Sequence, residues 1–102
     1  MDEEIIKLAK ELNNLYELAY EQIKPNIEDI IKNKINNKKI IEHYLDELLN
    51  IPTDKAYDLL KKICNYYISI NKETALFYLN EYHEIWLAEE EVKTLKKDYN
   101  KW

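Results

Sequence analysis

Not one of the 102 residues is glycine, and valine occurs once. A backbone position with positive φ must then use Asn or Asp, or be avoided. Hairpin turns and glycine phosphate loops lose their usual residue, and strands lose a favoured one. Helices joined by short turns are what such a chain can build, with Asn, Pro and Thr as punctuation.

Helical periodicity runs through the whole chain. Ile5, Leu8, Ala9, Leu12, Leu15, Tyr16, Ala19 and Ile23 recur at three- and four-residue spacing, which predicts a helix from Asp2 to about Ile23. Asp2, Glu3 and Glu4 suit its first turn, where the helix dipole favours anions. Pro25 is expected to end it, because the residue before a proline avoids the α region. A second helix is expected from about Asn26. Ile27, Ile30, Ile31 and Ile35 are in phase with Ile41, Tyr44, Leu45, Leu48 and Leu49, so one distorted continuous helix is the preferred expectation. A break at Asn36–Asn37, inside the helix-poor segment NKINNKK, is the alternative.

Thr53 reads as the N-cap of a third helix from Asp54 to about Ile70. Ala56, Tyr57, Leu59, Leu60, Ile63, Cys64, Tyr66, Tyr67, Ile68 and Ile70 spread so widely around its wheel that it should be touched on more than one side. Asn71 reads as the cap of a fourth helix running to about Tyr99. The fold class expected is all-α: an antiparallel four-helix bundle with an extended C-terminal helix, one domain over residues 1–102.

A chain that is 46% hydrophobic and 34% charged can bury a core. Its net charge of −5 and its lack of arginine argue against nucleic acid, which needs clustered cations and bidentate donors. No apolar run approaches the ~20 residues of a membrane span, and the acidic start MDEEIIKLAK has no signal-peptide core. A lone cysteine suits a reducing compartment, so a cytoplasmic location is expected. The abundance of Lys, Asn, Ile and Tyr with no Arg reads as the codon bias of an AT-rich genome.

Little here promises catalysis. His43 has Asp46 and Glu47 one turn on, but two or three ligands on one helix make a weak metal site. Ile40 and Asn80 stand three residues before His43 and His83, so a Glu-x-x-His di-iron pattern fails twice. Cys64 lies within the apolar arc, where a thiol packs rather than attacks. Thr53 and Thr74 are explained by capping. Tyr57, Tyr66, Tyr67, Tyr78 and Tyr82 read as core packing with hydroxyls at the rim, or else as a recognition surface. No catalytic residue, metal or cofactor is expected.

The informative stretch is WLAEEEVKTLKKDYNKW. Ala75, Tyr78, Leu79, Tyr82, Ile85 and Trp86 share one helix face. Ala88, Val92, Leu95, Tyr99 and Trp102 fall nearly opposite, at the 4, 3, 4, 3 spacing of a coiled-coil seam. Phe77 points the same way as this second stripe. Such a seam can fold back on its own bundle, pair with a second copy, or dock another protein. The expected role is a non-enzymatic interaction or regulatory module whose partner is another protein or itself as a homodimer. Its contact residues would be Phe77, Val92, Leu95, Tyr99 and Trp102. On that expectation Leu95→Asp weakens association and leaves the bundle folded.

Two resemblances follow from longer stretches. AYDLLKKICNYYISINKETALFYLNEYHEIW resembles a tetratricopeptide helix pair, with Tyr66, Ala75 and Leu79 near characteristic positions and Ile63 where a small residue belongs. That resemblance implies a peptide-binding helix hairpin. The size and four-helix pattern resemble small cytoplasmic bacteriocin-immunity proteins, in which a C-terminal segment decides specificity.

Overall fold

The computed structural model describes residues 2–86, and within them four helices follow one another. They are α1 Glu3–Lys32, α2 Lys38–Leu49, α3 Asp54–Tyr67 and α4 Lys72–Trp86. The all-α, four-helix expectation holds, and no strand occurs among the described residues. The expected continuation of the fourth helix past Trp86 lies outside them.

Each helix begins on a side chain that accepts from a free backbone N–H. Asp2 accepts from Glu4, Asn37 from Ile40, Thr53 from Ala56 and Asn71 from Thr74, at 3.2–3.3 Å. A cap of this kind contributes about 1 kcal/mol.

Pro25 does not end the first helix. It sits inside α1, a helix of 30 residues. Its ring faces solvent, so the carbonyl it leaves without an N–H partner can be hydrated. One residue on, the Asn26 side-chain amide donates to the Gln22 carbonyl at 3.1 Å and supports the same turn. Ile23, Ile27 and Ile30 stay in phase across the proline and all three are buried. Tertiary packing overrides a local preference here.

The preferred expectation of continuity through Asn36–Asn37 is likewise corrected: the chain breaks there. The Ile35 N–H reaches the Ile30 carbonyl at 3.0 Å and the Lys34 N–H reaches Ile31 at 3.3 Å. That is a Schellman closure, which needs a left-handed residue at its centre. With no glycine available, the position falls to Lys34, at φ 51°, and not to a neighbouring asparagine. The turn folds Ile35 against the core, and the Tyr66 hydroxyl donates to its carbonyl at 2.6 Å.

The core is one buried cluster drawn from the second half of α1, from α2, α3 and α4, and from Ile51. α3 is its centre, as the wide apolar arc implied, and it packs against each of the other helices. Tyr67 near the end of α3 reaches Glu42 near the start of α2. Tyr57 near the start of α3 stacks on Tyr82 near the end of α4, with centroids 5.2 Å apart. Lys55 pairs with Glu17 of α1 at 3.4 Å.

Candidate functional site

Tyr66, Tyr67, Tyr78 and Tyr82 are structural fasteners. Tyr82 donates to Ile51 O at 2.7 Å, and Tyr78 to Asp46 Oδ1 at 2.6 Å. The Trp86 indole N–H donates to Leu49 O at 2.6 Å. Burial is the main reason the Tyr67, Tyr78 and Tyr82 phenols are held above their ordinary range, Tyr82 at about 12. These hydroxyls are donors with fixed acceptors, and none is an activated nucleophile.

Cys64 is fully buried and its thiol is pushed up to about 12 by desolvation, far from a reactive thiolate. His43 is exposed and pairs with Glu47 at 3.1 Å, while the neighbouring Asp46 accepts from Tyr78. His83 Nε2 meets the Tyr57 hydroxyl at 2.5 Å. Among the described residues no group of three His, Cys, Asp or Glu side chains is placed to hold a metal ion. A cleft of about 550 Å³ opens between α1 and α2, where Tyr16, Ala19 and Ile23 face Tyr44 and Ile51.

Of the expected contact residues, Phe77 lies on α4. It is 56% exposed, with its ring edge-on to Tyr78. Val92, Leu95, Tyr99 and Trp102 lie outside the described residues. The bundle face assigned to α4 is buried at Ala75, Tyr78 and Tyr82, while Ile85 is exposed.

The larger apolar surface is on α1. Ile5, Ile6, Leu8, Leu12, Leu15 and Leu18 are 42–64% exposed, all within the first sixteen residues of one helix. Helix length explains this. At 1.5 Å per residue α1 is about 45 Å long, whereas helices of 12–15 residues reach only about 18–22 Å. The shorter helices cover Ile23, Ile27 and Ile30, and the half before Tyr16 stands clear of the core. Ile5, Leu8, Leu12, Leu15 and Ala19 keep 3, 4, 3, 4 spacing and run into the core residue Ile23 on the same face. Fully burying one such side chain is worth about 1.5–3 kcal/mol. Monomeric soluble proteins rarely expose so many large apolar side chains close together.

The stripe itself was legible in the sequence, but its lack of cover was not. The available signal was length: once Pro25 is passed through, this stripe outruns every other helix as described over residues 2–86.

Comparison with protein-family models, with curated proteins and with solved structures finds no match to this chain.

Proposed function

We propose that the protein works by binding another protein, helix against helix, and not by catalysis. The docking face is the first half of α1. The observation that carries this reading is the row of large side chains from Ile5 to Leu18, exposed on a helix whose other half anchors the core. Helix-in-groove recognition uses this kind of surface, reading apolar anchors three and four residues apart. A fitting partner is an amphipathic helix with its own apolar residues at alternating spacings of four and three.

Val92, Leu95, Tyr99 and Trp102 have that spacing within this chain, so the C-terminal segment belongs to the same interaction system. Phe77 adds an exposed anchor on α4. A cytoplasmic setting accords with the buried free thiol of Cys64. No described helix is long and apolar enough to cross a membrane. The tetratricopeptide and immunity-protein resemblances are compatible with the same role. A homodimer joined through α1 is the second reading, favoured by the heptad-like spacing of Ile5 to Ala19.

The test uses a fluorescent peptide, stapled to stay helical, with leucines at 4, 3, 4, 3 spacing. Titrated with the full chain it should bind saturably, and Leu12→Asp should weaken binding at least about tenfold with the thermal melt unchanged. Binding insensitive to Leu12→Asp removes α1 as the site. A concentration-dependent dimer that Leu12→Asp dissociates moves the assignment to self-association.

A further inference from the structure

We propose that the partner for α1 is a basic amphipathic helix, and that the cleft between α1 and α2 seats one of its arginine or lysine side chains. This rests on the reading of α1 as the docking face, and it adds what the partner must carry.

Two independent relationships support it. The first is charge along the face. Residues 2–18 hold five carboxylates and two lysines. Glu4 and Glu11 each stand one residue before a seam position, Ile5 and Leu12, so they line one edge of the stripe a heptad apart. At about 100° per residue, Lys7 and Lys10 fall on the far side of the helix. Both glutamates are exposed, and among the described residues neither is in an ion pair. A helix laid on the seam therefore meets uncompensated negative charge along this edge, and lysines or arginines on its own flank complement it. A second copy of α1 laid antiparallel would set the two glutamate edges against each other. An anionic lipid surface is repelled by the same edge.

The second relationship is the chemistry of the cleft. Gln22 continues the edge marked by Glu4 and Glu11, and both Gln22 and Asn26 line the cleft where Ala19 ends the seam. The Asn26 amide donates to the Gln22 carbonyl at 3.1 Å, and the Asn50 amide donates to the Asp46 carbonyl at 3.2 Å. One N–H of each thus serves its own helix, and both side-chain oxygens are left as acceptors. Glu47 adds a carboxylate, with one oxygen 3.1 Å from His43 Nε2. Tyr16 and Tyr44 supply half-buried rings, and Ile23 and Ile51 an apolar floor. No lysine lines this cleft, whereas Lys24, Lys55 and Lys62 line the groove between α1 and α3, beside Glu28 and Asp58. An acceptor-rich cleft with aromatic and apolar walls suits a long side chain with a cationic head and several donors.

The test titrates the full chain with fluorescent stapled peptides that share one leucine seam at 4, 3, 4, 3 spacing. One is flanked by lysines and carries an arginine one turn beyond the seam at each end. A second has glutamates at all these positions. A third has citrulline for both arginines, which keeps the shape and removes the charge. The basic peptide should bind at least about tenfold more tightly than the acidic one at low salt, and the difference should shrink at high salt. Citrulline should weaken binding to the wild type at least about threefold, and Glu47→Gln should abolish that loss. Equal binding of the basic and acidic peptides, both weakened by Leu12→Asp, overturns the inference and leaves the docking face standing. A citrulline loss that is absent from the wild type, or that persists in Glu47→Gln, overturns the seat in the cleft. Binding of none of the peptides removes the docking face, and this inference with it. A dimer that Leu12→Asp dissociates and no peptide displaces gives the face to a second copy and overturns the basic partner.

Discussion

The Tyr82 hydroxyl donates to the Ile51 carbonyl at 2.7 Å and leans toward the Thr53 carbonyl at 3.1 Å, so a side chain of the fourth helix holds the turn between the second and third. Ile51 is itself buried, and water could not replace the lost donor easily. Tyr82→Phe keeps the ring stacked on Tyr57 and removes only the hydroxyl. It should destabilise by about 1–2 kcal/mol in urea unfolding, with an unchanged m-value.

The same phenols make stability fall in alkali. Tyr67, Tyr78 and Tyr82 have folded values raised above 10.0, chiefly by desolvation, and Cys64 is raised above 9.0 for the same reason. The unfolded chain therefore loses these protons first. Their contribution is fully present below about pH 9 and declines as pH rises toward 12. Each ionising group steepens the slope by up to about 1.4 kcal/mol per pH unit. Urea melts at pH 8, 10 and 11 should show a progressive fall, shallower in Tyr82→Phe.

Lys34 holds the left-handed position that closes α1, at φ 51°. A residue with a Cβ is disfavoured there by about 1–2 kcal/mol, partly offset for glycine by its looser unfolded chain. Lys34→Gly should stabilise by about 0.5–1 kcal/mol, and Lys34→Val should destabilise. Thermal melts of the two variants, moving in opposite directions, check the Schellman assignment.

Pro25 is tolerated inside α1 because it faces solvent, not because it is favourable. Pro25→Ala restores an N–H donor and a good helix former. It should stabilise by roughly 1–3 kcal/mol and raise the helical circular dichroism signal. A loss of stability would mean that the fixed φ of the proline helps Ile23 and Ile27 to pack.

Exposure separates core from surface among the apolar residues. Leu60 is fully buried in α3, and Leu60→Ala should cost about 2–5 kcal/mol. Phe77 is 56% exposed, and Phe77→Ala should change stability by less than about 0.5 kcal/mol. Equilibrium unfolding of the pair distinguishes a packing residue from one available for contact.

Much of the architecture could be read without coordinates because it depends on local chemistry. Thr53 and Asn71 cap helices since their side chains satisfy N–H groups a few residues ahead, whatever packs around them. The wide apolar arc of α3 demanded a central position, since no single neighbour could cover it. The exclusion of glycine turns and the apolar stripe of residues 5–23 were likewise written in residue order.

Three features were decided by tertiary structure alone. α1 runs through Pro25 because the burial of Ile23, Ile27 and Ile30 on one face outweighs a missing hydrogen bond on the other. The chain breaks at residues 33–37, against periodicity, because folding Ile35 inward and giving its carbonyl to Tyr66 outweighs a further turn of helix. Whether the stripe from Ile5 to Leu18 is core or surface depended on the lengths of helices distant in the chain. Periodicity says which face of a helix is apolar, but only the reach of its neighbours determines how much of that face leaves water.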